Sequence, residues 1–322
     1  MVRRRALLAV TGVGFWHPAF AAEHWPARPI HLVVAYPPGG VSDDTARSLA
    51  QFMGTRLKVP VVVENRAGAG GLTALEWLTH APPDGQTLVY CAISPLVFAP
   101  AASASVPQSR GSDALLRDVT PVVSIMDTPV LVLAHPSFKP SSFAAMLAAA
   151  RAAPGRLRWA TSGPATVGHM VLAQIRTAAG VDITHIPYKG GGQQLSDALS
   201  GQFELLSSNV AAQQLQFVRQ GRLKALAIGS PSRLPVLPDV PTLAELGFPE
   251  ANLSSTFGLF APHGVPEERL KLINAVANEA LRRPEIRSRI LDVSNLPTGG
   301  SAAEFAARIA KERERALRVP SD

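Results

Sequence analysis

Two short stretches of the chain carry residues suited to holding an anion. Tyr36-Pro37-Pro38-Gly39-Gly40 ends an apolar run and leads into Ser42, Asp43 and Asp44. Thr161-Ser162-Gly163-Pro164-Ala165-Thr166 ends a second run and leads into His169. Glycine lets the main chain approach a ligand without Cβ obstruction. The first N–H groups of a helix lack internal partners, and the helix end carries about half a positive charge. A glycine turn between a strand and a helix start is therefore a site for a carboxylate or a similar small anion. The candidate contacts are Tyr36, Pro37, Pro38, Gly39, Gly40 and Asp43 from the first stretch, and Thr161, Ser162, Gly163 and Thr166 from the second. His169 stands beside them, where a hydrogen bond fixing its helix is the more ordinary role. Asp43 either faces a ligand amine or water, or partners the helix dipole. Tyr36 and Tyr188 each offer an apolar ring and a polar hydroxyl. Ser94 and Asn209 complete the set.

Covalent chemistry finds less support. Gly68-Ala69-Gly70-Gly71 begins like a dinucleotide fingerprint, but Thr73 stands where the third glycine belongs. No phosphate-loop lysine follows a glycine run. The chain has no H-E-x-x-H, no C-x-x-C and no G-x-S-x-G. Ser162 and His169 leave one alternative, a hydrolase on an α/β scaffold, which ester or amide turnover lost in Ser162→Ala would reveal. A ligand sensor docking on a membrane kinase is a third class. The favoured expectation is a binding protein, not an enzyme, with no metal or cofactor.

The elements that must position these residues read as alternating strands and helices. Ile30 to Ala35 is a strand. A helix follows with Ser42 as its expected N-cap and with Ala46, Leu49, Ala50, Met53 and Leu57 on one face. Further strands are expected at 59–63, 87–93, 121–125, 129–134, 157–160, 203–208, 223–229 and 256–261. Helices are expected at 73–79, 143–153, from His169 to near Gly180, from Pro266 until Pro284 closes it, and at 302–317. His185 to Gly192 is another strand-to-glycine turn, in which Lys189 is solvated. Residues 101–113 are small, polar and aperiodic, and read as an exposed loop. The pattern implies parallel-rich sheets flanked by helices. Two strand–loop–helix units some 125 residues apart imply two lobes sharing a cleft, the layout of a hinged binding protein. The division expected is 22–122 plus 232–322 for one lobe and 123–231 for the other.

The N-terminus reads as an export signal, so the mature chain is expected outside the cytoplasm. Arg3 to Arg5, the apolar Ala6 to Phe15 and Ala19-Phe20-Ala21 form an export leader at residues 1–21, and the Arg pair partly matches a twin-arginine signal. The net charge of +7 includes the three leader arginines, so the mature chain carries +4. That suits a small anionic ligand. The arginines are scattered without an aromatic stripe, so the charge is weak evidence for nucleic acid, and no nucleic-acid partner is expected. No apolar run reaches the ~18 residues of a membrane span. The single cysteine, Cys91, sits in an apolar run and reads as a buried inert thiol.

The ordered motifs also resemble a known family. W-P-x-R-P-I stands at Trp25 to Ile30, Y-P-P-G-G-x-x-D-x-x-A-R at Tyr36 to Arg47, and V-V-V-E-N-R-x-G-A-G-G at Val61 to Gly71. P-D-G-x-T-L stands at Pro83 to Leu88, H-I-P-Y-K-G at His185 to Gly190, G-R-L-K-A-L-A at Gly221 to Ala227, and L-P-D-V-P-T-x-x-E-L-G at Leu237 to Gly247. Together they resemble the Bug family of periplasmic solute receptors, which serve tripartite tricarboxylate transporters. The resemblance implies a two-lobed type II periplasmic binding protein fold that closes on a small carboxylated ligand. It implies membrane permease subunits as partners and a periplasmic location; a monomer is the expected state. It places one ligand carboxylate between Tyr36 to Gly40 with Asp43 and Thr161 to Thr166. The chain departs from the family pattern at Ala165, where glycine is usual, at Thr256, where tryptophan is common, and in the loop at 101–113.

Overall fold

The computed structural model of the chain describes residues 25–98 and 112–316. The leader expected at 1–21 and most of the loop expected at 101–113 lie outside the described residues.

The first unit is β1 (Ile30–Val34), α1 (Val41–Leu57), β2 (Val61–Asn65), α2 (Leu72–Leu78) and β3 (Thr87–Ala92). β1 is central and parallel to both β2 and β3. Ile30, Leu32, Val33 and Val34 are fully buried, as a strand covered on both faces requires. β2 lies at the edge, so its side chains alternate and Val62 is 46% exposed. α1 buries Ala46, Leu49, Ala50 and Met53, the face expected from spacing. Its N-cap is Gly40, not Ser42: the helix already begins at Val41, and Ser42 is buried in the first turn. Two short helices, α3 (Ser94–Phe98) and α4 (Ser112–Asp118), precede the long strand β4 (Val119–Ala134).

β4 joins the two lobes. Up to Pro129 it pairs antiparallel with β9 (Ser254–Pro262) in the first sheet. From Val130 it pairs antiparallel with β7 (Leu205–Asn209) and β8 (Lys224–Gly229) in the second. The second sheet is completed by β5 (Arg158–Thr161) and β6 (Thr184–Pro187), with β5 parallel to β6 and β7. Around it pack α5 (Phe143–Ala152), α6 (Val167–Ala179), α7 (Gly191–Leu199) and α8 (Ala212–Arg219). After β9 come α9 (Glu267–Arg282), α10 (Pro284–Asp292), β10 (Leu296–Pro297) and α11 (Ala302–Ala316). Pro284 opens α10 at its first helical turn, as well as ending α9. Parallel pairing thus belongs to the outer strands, and the strands linking the lobes run antiparallel.

Two expectations about the crossings need correction. The chain changes sheet at Pro129 to Val130, not at residue 122, because the two expected short strands are one continuous strand. Register shifts next to Pro121 and beyond Ser124 absorb its irregularities. The return crossing comes at Ser254, not at 232. Residues 230–253 stay with the second sheet: Ile228 N–H donates to Pro241 O at 3.0 Å and Leu243 N–H to Ile228 O at 2.8 Å. Leu234 and Leu237 join the second-lobe core around Leu131 and Ile228.

Candidate functional site

The first loop is built on a buried carboxylate. Asp43, in the first turn of α1, is only 3% exposed. It accepts from Gly39 N–H at 3.0 Å, Arg47 Nε at 2.9 Å and Asn65 Nδ2 at 2.8 Å. Asn65 also donates to Tyr36 O at 3.0 Å, and its own Oδ1 accepts from Arg47 Nη2 at 3.0 Å. Burial opposes ionisation of Asp43, but the bonds from Arg47, Gly39 and Asn65 outweigh it and hold the carboxyl below its ordinary range. Asp43 therefore points back into the loop and does not line the cleft. No side chain caps α1, so the N–H groups of Val41 and Ser42 remain available to an external acceptor. Tyr36 forms the wall behind them. Its hydroxyl accepts from Ala92 N–H at 3.0 Å, and its ring meets Phe257 edge-on at 5.6 Å. Burial raises its phenol well above the usual value.

The second loop is built from neutral groups. Thr166 caps α6 by accepting from His169 N–H at 3.3 Å and donates to Gly163 O at 2.8 Å. Thr161 Oγ1 lies 2.7 Å from His185 Nε2 and accepts from Gly163 N–H at 3.3 Å. The His185 ring stacks on His169 with centroids 4.3 Å apart. Burial, with His169 and Arg176 nearby, pushes His185 down to about 4, so it is neutral at neutral pH. Below the loop, Trp159 Nε1 donates to Ser207 Oγ, which donates to Gly168 O at 2.8 Å. Gln194 Nε2 donates to Ala160 O and Ser207 O, both at 2.9 Å. These bonds fix the start of α6 against β5 and β7. Ala165 adopts φ +54, the left-handed conformation for which glycine is the usual residue.

The two loops meet across a cleft of about 1110 Å³. Of the residues expected from sequence, Tyr36, Pro37, Pro38, Gly39, Gly40, Ser94, Ser162, Thr166 and Asn209 line it. At its base Asn209 Oδ1 accepts from Ser255 Oγ at 2.8 Å, a bond between strands of the two sheets. Asp43, Thr161, Gly163, His169 and Tyr188 stand behind this lining. Tyr188 donates to Asp197 Oδ2 at 2.8 Å, and burial together with that bond pushes its phenol up to about 12. The His169 ring lies stacked on His185. Cys91 is buried, and burial pushes its thiol up to about 12. Sequence reasoning missed Asn65, Gln194, Ser207 and the role of Gly70 and Gly71 in the lining. The glycine turn at Gly68 to Gly71 was visible. Asn65 needed the register that pairs it with Val34.

Comparison with known proteins decides the family. Residues 45–319 match the model of the tripartite tricarboxylate transporter family receptor. The chain belongs to this family. It is 38% identical over 284 residues to protein BugT of Bordetella pertussis, covering 86% of this chain and 84% of that protein. The structure of MatC from Rhodopseudomonas palustris with bound malate superposes with a TM-score of 0.83 at 30% identity, covering 92% of this chain and 99% of that one. That of R. palustris Rpa4515 with adipate gives 0.82 at 28% identity, covering 92% and 97%. The chain is a Bug-type periplasmic receptor with a two-lobed type II fold. Receptors of this kind bind small carboxylates and work with membrane components of a transporter. Among the described residues no helix is long and apolar enough to cross a membrane.

Proposed function

We propose that this receptor captures a small organic anion, a mono- or dicarboxylate, and hands it to the permease subunits of a tripartite tricarboxylate-type transporter. The observation that carries the reading is that the two loops, one from each lobe, line a single cleft. The uncapped start of α1 offers N–H groups from one side. Ser162 and the start of α6 offer a hydroxyl and N–H groups from the other. One carboxylate sits between them, and Asn209, Ser94 and Ser255 meet the remainder of the ligand. The clamping residues behind the lining, Asp43, Thr161, Gly163, His169 and Tyr188, act by holding the loops in shape. Malate in MatC and adipate in Rpa4515 are ligands of the expected class. Residues 1–21 direct export and are removed near Ala21.

Magnitudes allow the grip without a dedicated cation. Micromolar binding corresponds to about −8.2 kcal/mol. Hydrogen bonds to a charged group contribute roughly 1.5–3 kcal/mol each. Four to six of them, reduced by the cost of association and lobe closure, reach that scale. The test is a thermal-shift panel of mono- and dicarboxylates, followed by calorimetry on the hits. At least one acid should raise the melting temperature by several degrees and bind with a micromolar or tighter constant. A flat response across the panel overturns the reading.

A further inference from the structure

At the edge of the cleft, glycines of one lobe lie close to atoms of the other. Gly70, in the turn after β2, lies in the first lobe. A Cβ built on it would fall 2.9 Å from Thr166 Cγ2 and 3.3 Å from Pro164 O, both in the second lobe. A Cβ on Gly163 would lie 3.9 Å from Gly70 N. A second crossing occurs nearby, where a Cβ on Gly190 would rest 3.8 Å from Pro37 Cγ. The first separation is closer than real Cβ contacts allow, so a side chain at position 70 would force something to move. Thr166 is a poor candidate to yield. Its hydroxyl both caps α6 and donates to Gly163 O, and its β-branched side chain cannot turn the methyl away without moving that hydroxyl. The cheaper response is for the lobes to stand apart.

We propose that Gly70 is the seat on which the second lobe closes, a positioning residue that sets how far the cleft shuts and hence how tightly the ligand is gripped. The proposal rests on the ligand-binding reading above for its effect on affinity, but not for its effect on lobe separation. The left-handed backbone at Gly70, φ +66, adds its own strain to any side chain placed there. The neighbouring Ala69 holds φ +45 in the same turn. What ties a side chain at this position to the other lobe is the Thr166 methyl, with Pro164 O next at 3.3 Å.

The test is a rescue across the lobes. Gly70→Ala, Thr166→Ser and the double variant are compared with the wild type. Malate and adipate serve as probes in calorimetry. Interlobe distance is read by paired spin labels at Arg219→Cys in α8 and Arg282→Cys in α9, both exposed positions, with and without the probes. In Gly70→Ala the short-distance population should be lost and affinity for a bound probe should fall at least tenfold. In the double variant, where the serine keeps the cap hydroxyl but lacks the methyl, both should return most of the way. Strain confined to the first-lobe turn would not be relieved by a change in the second lobe. An unchanged short-distance population in Gly70→Ala, its absence in the wild type under every condition, or failure of Thr166→Ser to restore it overturns the proposal. If the wild type binds neither acid, the ligand reading fails for those probes, while the ligand-free distances still decide the seat.

Discussion

The two loops that face each other across the cleft do the same work by different chemistry. In the first lobe an ionised carboxylate gathers the glycine turn: Asp43 holds Gly39, Arg47 and Asn65 together and leaves the start of α1 without a side-chain cap. In the second lobe neutral hydroxyls do the gathering: Thr166 caps α6, and Thr161 ties Gly163 to a neutral histidine. The first arrangement leaves more free N–H groups but depends on a buried charge and its partners. The second consumes one N–H for its own cap and depends on a histidine staying uncharged. A receptor so built should fail differently when either clamp is removed.

The largest effect is expected from Asp43→Ala. It orphans Gly39 N–H, removes one of the two acceptors of Asn65 Nδ2 and leaves Arg47 without its acid. Loss of a buried, multiply bonded carboxylate should cost about 2–4 kcal/mol of stability. Denaturant unfolding should show it, and affinity for whichever acid the wild type binds should fall at least a hundredfold. A variant that binds normally would separate the first-loop clamp from function.

Next comes acid. His185 is depressed to about 4 in the fold against about 6.5 unfolded. Between those values the unfolded chain binds more protons, so the stability contributed by neutral His185 is complete above about 6.5 and is lost as pH falls toward 4. Asp43 has the same sign at lower pH. Its contribution is present above the ordinary carboxyl value and is lost as pH falls through its depressed one. The second-lobe clamp should therefore loosen first on acidification. Melting temperature should decline from pH 6.5 to 4, and His185→Gln should flatten that segment while leaving the steeper fall below pH 4. An unaltered profile would remove His185 from the account.

Thr166→Ala should cost about 1 kcal/mol, the usual worth of an N-cap, and weaken binding roughly tenfold, less than the Asp43 change. The smallest effect has the opposite sign. Ala165 is left-handed where a glycine would be unstrained. Relief of that strain, partly offset by the entropy of glycine, should make Ala165→Gly more stable by about 0.5–1 kcal/mol. Chemical denaturation reads both.

Much of this was legible in the sequence, and what escaped has a common cause. Apolar runs and helical spacing gave β1, α1, β3, α6 and α11 close to their observed bounds, because burial there is continuous or one-sided. The prolines of β4 hid a single strand: Pro121 adjoins a register shift and Pro129 stands where the strand leaves one sheet for the other, positions that tolerate a missing N–H. The short α3, α7 and α8 went unrecognised, since a few turns packed on a sheet need little periodicity. In the site, glycine turns at helix starts revealed which segments line the cleft. The direction in which Asp43 and Tyr188 point did not follow, because Asn65 and Asp197 decide it and both arrive from other elements.

A crystal structure of the receptor with an acid from the binding panel tests the central claim most directly. The account predicts one carboxylate within hydrogen-bond reach, directly or through one water, of the N–H groups at Gly40 to Ser42 and of Ser162 to Gly168 at once. A ligand held by one lobe alone, or seated away from both loops, would contradict it.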